Sequence, residues 1–186
     1  MSTKSELRGQ LIAARRRRDA LEVGAARAAV RRVILASPLL RQARCVAAYV
    51  PLPSEPGSPE LLDALVTGGF RVLVPVLLPD NDLDWTDWTD WTGGTSGANG
   101  PGGSPLGADA IASADLVLVP ALAVARDGTR LGRGGGSYDR ALARVPDGVP
   151  LVALLFDGEL VAALPAEPWD RPVTAVVTPS GWTDLA

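Results

Sequence analysis

The 186-residue chain contains no histidine, one cysteine, one lysine and few aromatics, 5% of its residues. Without histidine there is no Ser/His/Asp or Cys/His nucleophilic device, no histidine general base and no histidine-containing zinc site. A lone cysteine, Cys45, forms neither an intramolecular disulfide nor a thiolate cluster. It lies beside Val46-Ala47-Ala48 and reads as a buried structural thiol. The longest largely apolar stretch, Leu116 to Ala125, is interrupted by Pro120 and is about half the roughly 20 residues of a bilayer crossing. No membrane span is therefore expected. The start, Met-Ser-Thr-Lys-Ser-Glu, turns charged rather than apolar, so a cytoplasmic protein is expected.

With 47% hydrophobic residues, 21% charged residues and a net charge of -3, one folded domain spanning residues 1–186 is expected. Thr3-Lys4-Ser5-Glu6 has capping-box spacing and predicts a helix running to about Arg18. A second helix is expected over Ala25 to Leu35. Five short apolar runs bounded by Pro or Gly then read as strands: Val46–Val50, Val72–Val76, Leu116–Val119, Leu151–Leu155 and Ala175–Thr178. Helical patterns fall between them at Pro59–Val66, Ala108–Ala112 and Tyr138–Arg144. This alternation predicts an α/β fold: a single three-layer α/β/α domain with a mostly parallel sheet.

Residues 79–105 show no apolar periodicity and contain Asp-Trp-Thr three times from Asp84, then a glycine-rich tract. An aromatic lid over a ligand and a tandem expansion in a surface loop both fit. The arginines Arg15 to Arg18 and Arg31-Arg32 read as a charged helical face rather than a nucleic-acid patch, since the chain is acidic overall and no aromatics interleave. No nucleic-acid partner and no membrane partner are expected.

The segment richest in chemistry is Arg130-Leu131-Gly132-Arg133-Gly134-Gly135-Gly136-Ser137-Tyr138-Asp139-Arg140, behind the strand ending at Pro120. Three glycines before a helical pattern let backbone approach a phosphate, the helix start adds amides, and the arginines add counter-charge. Asp139 is placed to hold a divalent cation there. The segment is neither a Walker A loop nor a complete dinucleotide fingerprint. A tight turn with Ser137 as helix cap fits the same residues.

These residues, behind Leu118-Val119-Pro120, resemble the signature of the 5-formyltetrahydrofolate cyclo-ligases, also called methenyltetrahydrofolate synthetases. Lys4-x-x-Leu7-Arg8, Tyr49-Val50 with Glu55-Pro56, and Glu167-Pro168-Trp169-Asp170 occur in that family's order. The resemblance implies the sugar-phosphate isomerase and CoA transferase type of fold. It implies ATP-dependent closure of 5-formyltetrahydrofolate to 5,10-methenyltetrahydrofolate, with ATP as co-substrate and Mg as metal. A nucleotide- or folate-binding relative without turnover is the alternative, and a monomer is expected.

Residue by residue, the resemblance assigns ATP binding to Lys4, Ser5, Glu6, Leu7, Arg8, Arg130, Leu131, Gly132, Arg133, Gly134, Gly135, Gly136, Ser137 and Tyr138. Lys4 and Arg133 carry the catalytic assignment. Folate falls to Arg8, Val50, Glu55, Arg133, Gly134, Gly135, Gly136 and Ser137, and the metal to Asp139 and Asp170. The chain departs from the family at Ser137, where a tyrosine is usual, at Ser104-Pro105 for Glu-Pro, and at Val124-Ala125 for Phe-Asp. These departures bear on substrate affinity more than on phosphate binding.

Overall fold

Thr3 and Glu6 close the capping box their spacing requires: the Thr3 hydroxyl accepts from Glu6 N at 3.2 Å and the Glu6 carboxylate accepts from Thr3 N at 2.9 Å. Helix α1 follows over Lys4–Arg16. Helix α2 covers Ala20–Leu35, starting earlier than its apolar pattern suggests, because Asp19 caps it by accepting from Glu22 N at 2.7 Å. The computed structural model describes residues 3–90, 104–167 and 170–185. Residues 91–103 of the glycine-rich tract, Pro168 and Trp169 lie outside the described residues.

Strand β1 (Cys45–Ala47), helix α3 (Pro59–Thr67), β2 (Arg71–Leu77) and β3 (Leu83–Asp87) come next, then a 3-10 turn at Ala108–Ser113 and β4 (Leu116–Pro120). After these come β5 (Ala123–Ala125), β6 (Arg130–Leu131), α4 (Ser137–Leu142), β7 (Leu151–Leu154), β8 (Leu160–Val161), β9 (Ala175–Thr178) and β10 (Gly181–Asp184). The main sheet has the order β10-β9-β7-β4-β1-β2-β3. Its five inner strands are parallel and each edge strand is antiparallel. A smaller sheet, β6-β5-β8, lies beyond the end of β4.

Successive side chains of a strand point to opposite faces, so both faces need a cover. Val46, Leu116, Leu118, Val152 and Val177 meet Val30 and Ile34 of α2 and Leu61, Leu62 and Leu65 of α3. Ala47, Val117, Val119, Ala153 and Val176 meet Ile111, Ala141, Leu142 and Val145 on the other side. The expected layers of helix, mostly parallel sheet and helix follow directly from this alternation.

The structure corrects the reading of residues 79–105 as lacking period. Leu83 to Asp87 form β3, paired antiparallel with β2 from Leu77↔Leu83 to Leu73↔Asp87. Leu83 and Trp85, two apart, share the face that packs into the core, and Trp85 is fully buried. The triplet repeat masked this two-residue alternation. The helix expected at Ala108–Ala112 is a 3-10 turn, and no side chain caps its start at Gly107.

Candidate active site

A cavity opens where β1 is too short. Strand β1 ends at Ala47, paired with Leu73 and Val117, whereas β2 continues to Leu77 and β4 to Pro120. Pro75 has no N–H to donate, and no β1 residue stands opposite it. The chain leaves β1 toward β2 on one side and reaches β4 on the other, so the gap is a topological switch point at the carboxyl ends of the strands, where open α/β sheets bind ligands. The cavity measures about 330 Å³, within the usual range for small-molecule sites.

Six parts of the chain converge on it. The chain after β1 brings Tyr49, Val50, Leu52 and Glu55, and the turn after β4 brings Pro120 to Leu122. Residues 130–139 close one side, Lys4 and Arg8 of α1 lie across the opening, and Asp170 borders it. An apolar wall of Pro75, Leu77 and Leu83 comes from the β2–β3 hairpin. Sequence reading missed that wall, because the strand was hidden in the repeat.

Each cation of the site except Arg8 is tied to a carboxylate. Lys4 Nζ donates to Asp170 Oδ2 at 3.1 Å and stands 3.7 Å from Glu167 Oε1. Arg133 Nε donates to Glu55 Oε1 at 3.2 Å, and the second Glu55 oxygen accepts from Leu52 N at 2.9 Å. Arg130, 9% exposed, donates to Asp139 Oδ1 at 2.5 Å and to the Pro120 carbonyl at 3.4 Å. Arg8 Nε donates to the Gly132 carbonyl at 3.0 Å.

The glycines make room for these arginines. A Cβ on Gly132 would stand 2.6 Å from Arg130 Nη1, and one on Gly134, whose φ is 99°, would meet Arg8 at 3.3 Å. Ser137 is the first residue of α4, whose N-cap is Gly136 with no side-chain capping bond, which corrects the reading of Ser137 as the cap. Tyr138 borders the cavity, and its hydroxyl is buried without a hydrogen-bond partner among the described residues. Burial first, then the charge of Glu55, push its pKa well above the ordinary tyrosine value against the pull of Arg130, so the phenol is neutral. Burial likewise raises the Cys45 thiol, in keeping with a structural role outside the cavity.

Of the sequence candidates, Lys4, Arg8, Val50, Glu55, Arg130 to Tyr138, Asp139 and Asp170 share this one cavity. Ser5, Glu6 and Leu7 do not line it; Ser5 and Glu6 are exposed on the outer side of α1. The reading of Arg15 to Arg18 as a charged surface is also corrected, since Arg15 is 2% exposed and paired with Glu159. Among the described residues no three His, Cys, Asp or Glu side chains cluster as a metal cage, and no helix is long and apolar enough to cross a membrane.

Residues 1–179 match the model of the 5-formyltetrahydrofolate cyclo-ligase family. A 5-formyltetrahydrofolate cyclo-ligase of Mycolicibacterium smegmatis is 43% identical over 143 residues, 73% of this chain and 74% of the relative. That of Escherichia coli is 32% identical over 149 residues, 77% of this chain and 82% of the relative. Among solved structures, the 5,10-methenyltetrahydrofolate synthetase of Aquifex aeolicus superposes with a TM-score of 0.81 at 25% identity, covering 98% of this chain and 92% of that one. The Mycoplasma pneumoniae synthetase shares the fold, with a TM-score of 0.76 at 20% identity over 96% of this chain and 99% of that one. With its glycine-arginine loop, its carboxylate after β1 and Lys4 and Arg8 of its N-terminal helix facing one cavity, the chain belongs to the 5-formyltetrahydrofolate cyclo-ligase family.

Proposed function

We propose that the cavity holds ATP and 5-formyltetrahydrofolate side by side and that the chain closes the folate to 5,10-methenyltetrahydrofolate, releasing ADP and phosphate. The formyl oxygen attacks the terminal phosphorus, breaking its bond to ADP. The neighbouring folate nitrogen then attacks the activated carbon and loses its proton, and the carbon–oxygen bond breaks to release phosphate. This route needs alignment and charge stabilisation rather than a side-chain nucleophile, which suits a chain without histidine. The observation that carries the reading is the convergence of Lys4, Arg8, Arg133 and the glycine loop with Glu55 on one cavity.

In this reading Lys4, Arg8, Arg133 and the amides of residues 132–138 hold the phosphates, with Lys4 and Arg133 opposing the charge on the transferred phosphoryl group. Glu55 accepts from pterin N–H groups against the apolar wall of Pro75, Leu77 and Leu83, with Val50 beside it. Two carboxylates facing one cavity fit Mg held mainly through nucleotide phosphates and water, the usual manner of that ion. Mg would supply charge neutralisation on the phosphates, and Asp139 and Asp170 are the residues that would hold it. Both carboxylates now accept from cations, Arg130 and Lys4. Phosphates drawing Lys4 to themselves would free Asp170 for this task.

Purified protein incubated with ATP, Mg and 5-formyltetrahydrofolate should form the methenyl product, followed by its absorbance, with one ADP per turnover and no product when any one component is omitted. Folded protein that binds ATP and folate without forming product would overturn catalysis and leave the binding-only alternative.

A further inference from the structure

Lys4, Arg8, Leu11 and Arg15 form one stripe of α1, because positions four, seven and eleven residues on return to nearly the same face of a 3.6-residue helix. Lys4 and Arg8 line the cavity; Arg15 does not. Arg15 is the buried residue of α1, and its guanidinium spans three acceptors. Nε donates to Glu159 Oε1 at 2.8 Å, and Nη2 donates to Glu159 Oε2 at 2.7 Å and to the Ala121 carbonyl at 2.6 Å. Glu159, 5% exposed, is itself fixed by Phe156 N at 2.8 Å, and the Phe156 ring lies 5.5 Å from the Arg15 guanidinium carbon.

Ala121 belongs to the cavity floor, and the adjacent Pro120 carbonyl accepts from Arg130 of the glycine loop. Two consecutive carbonyls thus receive one arginine from each of the two segments that border the phosphate side. A buried ion pair of this kind is a weak source of stability, because apolar side chains of similar volume often replace it without loss. Its planar fork instead fixes direction. From Arg15 to Lys4 the helix rises about 16 Å, so a 10° tilt about Arg15 would carry Lys4 through about 3 Å. Displacements of about 1 Å at reacting groups already cost roughly a hundredfold in rate.

We infer that Arg15 and Glu159 are a positioning pair for the nucleotide: they set the angle of α1 so that Lys4 and Arg8 reach the phosphates. The inference rests on the assignment of Lys4 to ATP made above. Truncating either partner alone strands a buried charge and is expected to unfold the domain. The informative variant is the double replacement Arg15→Met/Glu159→Met, which removes both charges and keeps the volume, with Arg15→Lys as the conservative counterpart that keeps the charge and loses the fork.

Each is combined with Lys4→Ala, and the Michaelis constant for ATP is measured beside the melting temperature. The double replacement should melt near the native temperature yet raise the ATP constant about tenfold, with Arg15→Lys intermediate. Lys4→Ala should raise that constant about tenfold in the native background and less than about threefold in the double-replacement background, since contacts in series do not multiply. A native ATP constant in the folded double replacement, or the full Lys4→Ala effect in both backgrounds, overturns positioning and leaves the nucleotide assignment standing. If the double replacement does not fold, the same cycle on Arg15→Lys decides by the same two outcomes. No effect of Lys4→Ala in the native background overturns the assignment of Lys4 and the inference together.

Discussion

Ser137 stands at the first position of α4, beside the cavity, and caps nothing. Replacing it by tyrosine therefore removes no capping bond and adds a ring where the family usually has one. Ser137→Tyr should lower the folate Michaelis constant roughly fivefold, about 1 kcal/mol for an aromatic contact, with stability within about 0.5 kcal/mol of native. An unchanged or higher folate constant would reject packing of the ring on the substrate. Arg133→Ala, which also frees Glu55, should cost roughly a hundredfold or more in kcat/KM while leaving the melting temperature near native, because the Arg133 side chain is 42% exposed. Near-native kcat/KM would take Arg133 out of the site. At this scale the sequence was legible where a residue type is rare. Lys4 stands out as the sole lysine, whereas Arg15 is hidden in a run of four arginines whose members look alike until a helix turns one of them inward.

Among the elements, the apolar runs located β1, β2, β4, β7 and β9, and the gap left by the brevity of β1 is what makes the cavity. Strands β5, β6 and β8 are two or three residues long, too short to show an alternation, and β8 pairs with a strand distant in sequence, so no local pattern announces them. Strand β3 was obscured for another reason: slid by one triplet, Asp87-Trp88-Thr89 could occupy the places of Asp84-Trp85-Thr86. Its register is set from outside the repeat, by buried Leu83 and by Asp82, which accepts both Nη groups of Arg144, the shorter bond at 2.5 Å. That hydrogen bond, more than the charge of Arg144, holds the Asp82 carboxyl below its ordinary value. A lowered carboxyl adds stability above its unfolded pKa, about 3.9, and gives it up as pH falls through the lower folded value. Urea midpoints of native protein and Asp82→Asn should therefore differ at neutral pH and converge in acid; a pH-independent difference would show that the ionised carboxylate is not what holds the turn. Leu83→Thr should expose backbone amides of β2 and β3 to hydrogen exchange while distant β7 stays protected, and equal protection in both hairpin strands would mean that Leu83 does not set the register.

For the molecule as a whole, the sequence showed the α/β alternation and the family resemblance but not which residues would meet across the cavity. Such meetings depend on how the sheet orders its strands, and no short stretch of chain records that order. The bond from Lys4 to Asp170 joins residues 166 positions apart and is an example. Closing so long a loop costs only slightly more than closing one of half the length, about 0.6 kcal/mol per doubling, but it has to wait for the intervening chain. During synthesis at about 5–20 residues per second, α1 is made within the first seconds and its last partner at the cavity many seconds later. The charged border of the cavity is thus a late product of translation: until residue 170 has been made, Lys4 has no Asp170 to donate to, and β9 and β10 are still missing from the sheet.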